Sequence, residues 1–481
     1  MTVDPNHQLF VGIDCGSQSA KVTVFDASGT VVASGHHMLA PMHRPRPGVV
    51  LHPDDDLGTA IASACKIAVT QLGSRVAQIA GIGLCPIRCC KAFLRSDGSL
   101  VEPVMSWMDD RAYQPYLPES PDLAYATTAS GYLTHKLTGS FTDTAANNIS
   151  MQWPLDASTW KWSTDPVVQS NFCVPSAMLF DLCMPGDIAG YLTHEAAAAT
   201  GLPAGTPVVA TANDKAVELL GAGPLDSSTV LVSLGTYIAA MMPGRKFIAA
   251  PTSFWTNLAA MPGQYLYESN GVRRGMWTLT WMLDLLGPEF ASAAHAEGIS
   301  RESYIEREAT RVPAGSDGLL TVLDWLATPD APFRKGSFLG FDARHTRAHM
   351  YRSILEAIAI TMKHHVDAMT YELGGALNGL VLSGGGANST LFSQIFADVF
   401  GITVWRSTGP SGAALGAAMC AAAATGTYPD IPAACTAMGS PRESFVANTS
   451  RHATYADVSA VYADVRLATD AVYQRTFPLF H

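Results

Sequence analysis

No stretch of the 481-residue chain approaches eighteen uninterrupted apolar residues, so a membrane-spanning helix is not expected. The opening residues, MTVDPNHQ, lack a basic segment followed by an apolar core, which argues against a secretory signal and makes a cytoplasmic location the default. Charge is sparse as well: 15% of residues are charged, with an acidic balance of −11. That balance disfavours a nucleic-acid surface. It leaves a nucleotide site open, because one nest of N–H groups and a metal ion suffice for phosphate. Cysteine comes in an odd number, nine, and Cys15, Cys65 and Cys420 sit inside apolar runs, the pattern of reduced core thiols and not of a disulfide framework. Cys85, Cys89 and Cys90 have no second CxxC or histidine at metal spacing and read as packing thiols in preference to zinc ligands.

With 48% apolar residues, the chain has ample material for cores, and its length calls for two domains or three. The segment Leu9 to Gly35, LFVGIDCGSQSAKVTVFDASGTVVASG, organises the rest. An apolar run (Leu9 to Ile13) leads to Asp14, then a polar turn (Cys15 to Ser19), then a second strand (Val22 to Phe25) closed by Asp26-Ala27-Ser28-Gly29. Gly16 keeps a side chain out of the space a ligand needs, and the N–H groups from Gly16 to Ser19 can converge on an anion. Asp14, at the strand end, is placed to reach magnesium through water. An ordinary surface hairpin remains the alternative on these residues alone.

Further along, His52-Pro53-Asp54-Asp55-Asp56 precedes LGTAIASACKIAVTQLG, a helix with an acidic start and a glycine stop; the three aspartates fit the helix dipole better than a metal. Ile79 to Leu84 is a short strand, and Ile87-Arg88 follows its end, where ligand crevices lie in α/β domains. Ser106-Trp107-Met108-Asp109-Asp110-Arg111 gathers an aromatic ring, carboxylates and a guanidinium, which suits polyhydroxyl recognition or, equally, a surface ion pair beside a half-buried Trp. Ala112 to Thr128 reads as a proline-rich loop, Gly131 to Gly139 as a helix, and Gln152 to Trp162 places three tryptophans near the surface.

A second unit starts with the strand Thr206 to Thr211 and the helix of ANDKAVELLGAG, in which Asp214 is either an N-cap or a functional carboxylate. Thr229 to Leu234 and Gly235-Thr236-Tyr237-Ile238-Ala239-Ala240 repeat the first hairpin in outline: apolar strand, glycine turn with a hydroxyl, second strand. Gly379 to Leu382 then runs into Ser383-Gly384-Gly385-Gly386-Ala387-Asn388, ahead of a helix from Thr390 to Phe400, a turn open to close approach by a flat ligand or phosphate.

GIDCGSQSAK, WMDDR, ANDKAVELLGAG, SLGTY and LSGGGANSTLFSQIFADVFG, in that order, resemble the FGGY family of carbohydrate kinases, of the actin-like ATPase superfamily. The resemblance implies an α/β fold of two ribonuclease-H-like domains with a cleft between them: residues 1–212 for the sugar and 213–481 for ATP. It implies ATP-dependent phosphorylation of a small, pentulose-like sugar or polyol at a primary hydroxyl, with ATP and Mg2+ as cofactors. In site terms, Asp14 supports the magnesium, and Gly16, Ser17, Gln18, Lys21, Gly235 and Thr236 belong to the phosphate turns. Gly385, Gly386 and Asn388 line the adenosine, while Arg88, Asp109 and Arg111 face the sugar, with Arg111 as a brace of Asp109 the alternative. Asp214 orients the acceptor hydroxyl and takes its proton. Departures from the family are the shortened connection Ala112 to Thr128, the Cys89-Cys90 pair, and Ile87-Arg88, which is more similar to glycerol kinases and autoinducer-phosphorylating kinases than to xylulose kinases. The chain is most similar to a subgroup of bacterial sugar kinases with the same shortened connection. An actin-like nucleotide-dependent switch or sugar-sensing ATPase is the rival reading, and the sequence leaves a homodimer open.

Overall fold

Two mixed sheets with the same pairings around the central strand carry the chain. A computed structural model describes residues 7–115, 120–328, 330–409 and 412–480; residues 116–119 of the proline-rich connection lie outside this range. Counting the strands of the two large sheets alone, the first comprises β1 (Leu9–Cys15), β2 (Ser19–Asp26), β3 (Val31–Met38), β4 (Ile79–Pro86), β5 (Ile188–Tyr191) and β6 (Pro207–Ala210). Its order is β5-β6-β4-β1-β2-β3. The second comprises β7 (Thr229–Leu234), β8 (Ile238–Gly244), β9 (Phe254–Leu258), β10 (Tyr265–Ser269), β11 (Gly379–Ser383), β12 (Val404–Ser407) and β13 (Arg442–Phe445), in the order β13-β12-β11-β7-β8-β10-β9. In each sheet a central strand pairs antiparallel with the next strand in the chain and parallel with a later one: β1 with β2 and β4, β7 with β8 and β11. The faint sequence repeat is therefore a repeat of topology.

The central strands are near-continuous apolar runs because both faces are covered. What covers β1 and β4 comes from the far end of the chain. Helix α4 (Gly412–Ala424) follows α1 (Asp56–Leu72), α2 (Asp214–Gly221) and α3 (Arg347–Leu373) among the helices that matter here, and its residues 413–422 are buried. A Cβ on Gly12 of β1 would lie 1.9 Å from the Ala414 carbonyl oxygen, and one on Gly83 of β4 would lie 1.9 Å from that of Ala417. Only glycine in the strands and alanine or glycine on the helix allow backbones this close. Helix α2 packs on α4 in the same way, Gly221 against the Gly412 carbonyl, so α2 and α4 join the two sheets.

Several local expectations change once the packing is known. Trp153 and Trp160 are buried, at 1% and 4% exposure, instead of lying near the surface. The end of the presumed 112–128 loop is a strand, Tyr125–Thr128, paired antiparallel with Lys91–Leu94. Of the aspartates before α1, Asp55 accepts hydrogen bonds from Tyr132 and Lys136, and Asp56 accepts from the Ala40 N–H at 2.9 Å.

His52, beside them, is 1% exposed, and neither ring nitrogen has a hydrogen-bond partner among the described residues. Burial pushes its pKa from 6.5 down to about 4. The unfolded chain therefore binds a proton that the folded chain refuses between these values, and the stability owed to neutral His52 is present above pH 6.5 and lost as pH falls towards 4. At most about 3 kcal/mol is involved. His52→Leu should flatten the fall in denaturant midpoint between pH 7 and pH 4.5; an unchanged slope would show that His52 does not drive it.

Candidate active site

The turn joining β1 to β2 is closed by the Gly16 N–H donating to the Ser19 carbonyl at 3.0 Å, while the N–H groups of Ser17 and Gln18 have no acceptor among the described residues. The turn joining β7 to β8 is built alike. The Gly235 and Thr236 carbonyls accept from the N–H groups of Met276 (3.2 Å) and Gly275 (2.9 Å), and their own N–H groups have no acceptor among the described residues. Gly16 is not in the left-handed region, so the turn itself does not demand glycine. Nor does the protein's own packing: a Cβ at Gly16 would come no nearer than 3.8 Å to the surrounding residues, at Gly235 no nearer than 3.7 Å, and at Gly385 it would meet nothing within 4 Å, so the glycines border open space. Open space over unpaired amides can receive an anion.

These turns face a cleft of about 1070 Å³ whose lining includes Gly16, Ser17, Arg88, Asp214, Lys215 and Thr236. Asp214 is the first residue of α2 and one-third exposed, with its Oδ1 accepting from the Lys215 N–H at 3.0 Å. It is not the helix cap. That role belongs to Asn213, whose side chain accepts from the Ala216 N–H at 3.1 Å, which frees the Asp214 carboxylate to face the cleft. Asp14, one residue before the end of β1, lies opposite Lys21 in the β1–β2 register and beside Cys85 in the β1–β4 register. Burial first, then the charges of Asp14 and Asp214, push the Cys85 thiol well above its ordinary range, so both carboxylates act on the same spot.

Arg88 has more fixed partners than its position in the chain suggests. Its Nη1 and Nη2 donate to Glu268 Oε2 (2.6 Å) and Oε1 (2.7 Å), its Nε lies 3.7 Å from Asp214 Oδ1, and the guanidinium sits 5.2 Å from the centre of the Trp255 ring. Glu268 on β10 is fully buried and Trp255 on β9 belongs to the same sheet, so this contact spans the cleft between the two sheets. Burial alone would lower the Arg88 pKa; Glu268 and then Asp214 outweigh it and hold the guanidinium well above its usual value. Glu268 was not legible as a site residue. A carboxylate in a buried apolar strand is the signal, but its partner lies 180 positions away.

Asp109 and Arg111 do not line the cleft. Asp109 is fully buried and accepts from the Val50 N–H (2.8 Å), the Arg111 N–H (3.0 Å) and the Arg111 guanidinium (3.0 and 2.9 Å). With its acceptors engaged, it braces the loop that presents Trp107 and Tyr113, both of which do line the cleft. The pair expected to grip sugar hydroxyls is thus a support, and the aromatic rings are the exposed part. Cys89, also on the wall, has a left-handed backbone (φ 62°), and burial pushes its thiol up to about 11.

Gln18 and Lys21 are exposed but stand off this cleft, as do Gly385, Gly386 and Asn388. The Gly384–Asn388 turn is held by Arg406, whose Nη1 donates to the carbonyls of Ala387 (3.1 Å) and Asn388 (3.0 Å). Within it Gly385 is open, whereas a Cβ on Gly386 would meet the Met276 sulfur at 2.7 Å, so Gly386 serves packing.

Comparison with known proteins agrees with this geometry. The N-terminal domain of the FGGY family of carbohydrate kinases matches residues 9–116 and 122–221, and its C-terminal domain matches residues 230–425. An uncharacterized sugar kinase of Escherichia coli K12, YgcE, is 43% identical over 475 residues, covering 98% of this chain and 96% of that one. The autoinducer-2 kinase of Photorhabdus laumondii is 24% identical over 519 residues, covering 98% and 95%. Xylulose kinase from Rhodospirillum rubrum, at 24% identity, superposes with a TM-score of 0.80 over 98% of this chain and all of the other, which establishes the shared two-domain actin-like ATPase fold. Two sheets with the same pairings around their central strands, open glycine turns on both, and family matches spanning nearly the whole length have one common explanation: this chain belongs to the FGGY family of carbohydrate kinases.

Proposed function

We propose that this kinase transfers the γ-phosphoryl group of MgATP to a primary hydroxyl of a small sugar or polyol of pentulose-like size, with Asp214 as general base. The observation that carries this reading is that Asp214 shares one cleft with the open turns at Ser17 and Thr236, which bring unpaired N–H groups from both sheets to its walls. Phosphoryl transfer asks mainly for positioning and charge stabilisation, and such a cleft provides both. In this reading residues 1–212 carry the acceptor side and residues 213–481 the nucleotide side. The names of the relatives, a xylulose kinase and an autoinducer-2 kinase, favour a compact polyhydroxyl acceptor.

Asp214 holds the acceptor hydroxyl and takes its proton as the hydroxyl oxygen bonds to the γ-phosphorus. The bond from phosphorus to the β,γ-bridging oxygen breaks, and ADP keeps that oxygen. Ser17 and Thr236 hold the phosphate oxygens through their N–H groups, and the open Gly385 turn receives the adenosine. Trp107, Tyr113 and Trp255 offer rings to the carbon face of the acceptor and exclude water. The residues fit magnesium in the way that ion is usually held, by one or two carboxylates and substrate phosphates. Asp14 is the carboxylate in reach of the cradle, and among the described residues no three acidic, histidine or cysteine side chains form a dedicated cage. When bound, the ion supplies charge neutralisation between the β- and γ-phosphates.

The test is ADP release by the purified protein with MgATP and a panel of ribulose, xylulose, glycerol, erythritol and several hexonates. One acceptor should raise the rate far above background. Release indifferent to every acceptor would favour an ATPase switch instead.

A further inference from the structure

Lys215 follows Asp214 directly and lines the same cleft, with 12% of its side chain exposed. Its Nζ donates to Ser233 Oγ at 2.6 Å and to Glu218 Oε2 at 3.2 Å. Glu218, one turn further along α2, in turn accepts from Ser233 Oγ (2.8 Å, on Oε2) and from Ser383 Oγ (2.7 Å, on Oε1). Ser233 and Ser383 are register partners at the ends of the parallel strands β7 and β11. The chain enters the Gly235–Thr236 turn two residues after the first and the Gly384–Gly386 turn one residue after the second. Glu218 thus ties together the two strands that deliver two of the three glycine turns, and holds a lysine ammonium between them.

A buried ion pair contributes little net stability where apolar residues would pack as well, so stability alone is a weak reason for this arrangement. The position suggests another. Ligands in α/β sheets bind beyond the carboxyl ends of parallel strands, which is where this ammonium lies. An ammonium has three hydrogens; two are directed at Ser233 and Glu218, and the third has no acceptor among the described residues. The neighbouring cation, Arg88, has its fork occupied by Glu268. Burial by itself would favour loss of the Lys215 proton, but Glu218 and then Asp214 outweigh it and raise its pKa, so the group stays charged.

We propose that Lys215 is a catalytic residue: its third N–H donates to a non-bridging oxygen of the phosphoryl group in transfer, and Glu218, braced by Ser233 and Ser383, positions it. The ammonium gives up no proton. It answers the negative charge on the equatorial oxygens while the bond from phosphorus to the bridging oxygen breaks and the bond from the acceptor oxygen forms. This rests on the phosphoryl-transfer reading above and adds to it the protein's own cation for the transition state.

The test uses the full-length protein and probes that need no acceptor. Calorimetry measures the affinity for MgADP alone and for MgADP with aluminium fluoride, which imitates the phosphoryl group in flight. Wild-type protein should bind MgADP and tighten about tenfold or more with fluoroaluminate, since one charge-assisted contact is gained. Lys215→Met should keep MgADP affinity within about threefold, lose the tightening, and turn over MgATP about a hundredfold more slowly, the scale of removing one preorganised donor. Lys215→Gln, which retains polar contact with Ser233 and Glu218 without the charge, should behave alike and replaces the Met variant if that one does not fold. Equal tightening in wild type and a folded variant overturns the role of Lys215, as does wild type that binds MgADP but does not tighten. Wild type that fails to bind MgADP overturns the kinase reading and this inference with it.

Discussion

Asp214→Asn is expected to fold, to bind MgATP like the wild type, and to lose about a hundredfold or more in kcat, the scale of a positioned general base. The fold tolerates the change because Asn213, not Asp214, caps α2, and because the Asp214 Oδ1 contact with the Lys215 N–H is one that an Asn carbonyl reproduces. The carboxylate is one-third exposed and 3.7 Å from the Arg88 Nε, a contact worth little at that exposure. The loss should therefore lie almost entirely in the chemical step. Asn still orients the hydroxyl, and in a loose transition state orientation carries part of the effect, so the loss will be smaller than deletion of the side chain would produce. The measurement is kcat with the acceptor identified by the panel, beside melting temperature and MgATP affinity. Near-normal turnover by a folded Asn variant would take Asp214 out of the mechanism.

Arg88→Met should cost about 3–5 kcal/mol of stability, the usual consequence of leaving a buried carboxylate without its cation. Among the described residues Glu268 would retain only the Asn257 side-chain amide, at 3.1 Å, in a site with no exposure. The companion change Glu268→Leu, made together with Arg88→Met, removes both charges and should recover most of the stability, because an apolar pair of similar volume packs about as well as a buried ion pair. The double mutant should not recover activity. The guanidinium that faces Asp214 and stacks on Trp255 is gone in both, so the wall that holds these two side chains is altered and KM for the acceptor should stay raised, with KM for ATP nearly unchanged. Denaturant midpoints of the four proteins give the coupling between the two residues. A double mutant as unstable as Arg88→Met would mean that the unpaired carboxylate is not what destabilises the single mutant.

Much of the architecture was legible beforehand because it depends on local signals. β7 and the helix Thr390–Phe400 have the bounds expected from their apolar patterns and glycine turns, and α1 begins within one residue of its acidic start. Periodicity and turn chemistry act over a few residues, so a linear reading reaches them. Trp153 and Trp160 were misplaced for the opposite reason: nothing in Gln152 to Trp162 reveals that Trp160 lies edge-on to Tyr265 of the second sheet, 6.2 Å between ring centres. The ambiguous cap was settled by one hydrogen bond, from Ala216 to Asn213, which two adjacent cap-competent residues leave undecided on paper.

By itself the sequence determined the repeated strand–turn–strand units, the glycine turns and the family, since each is written in contiguous motifs. Only the tertiary structure decided the partners. It joined Arg88 to Glu268 across 180 positions, bound Glu218 to Ser383 across 165, and turned Asp109 inward to brace its own loop. The reason is physical: a buried charge must find its counter-charge or hydrogen bonds wherever the fold brings them, and in a cleft between two sheets those partners come from segments whose proximity no local pattern encodes.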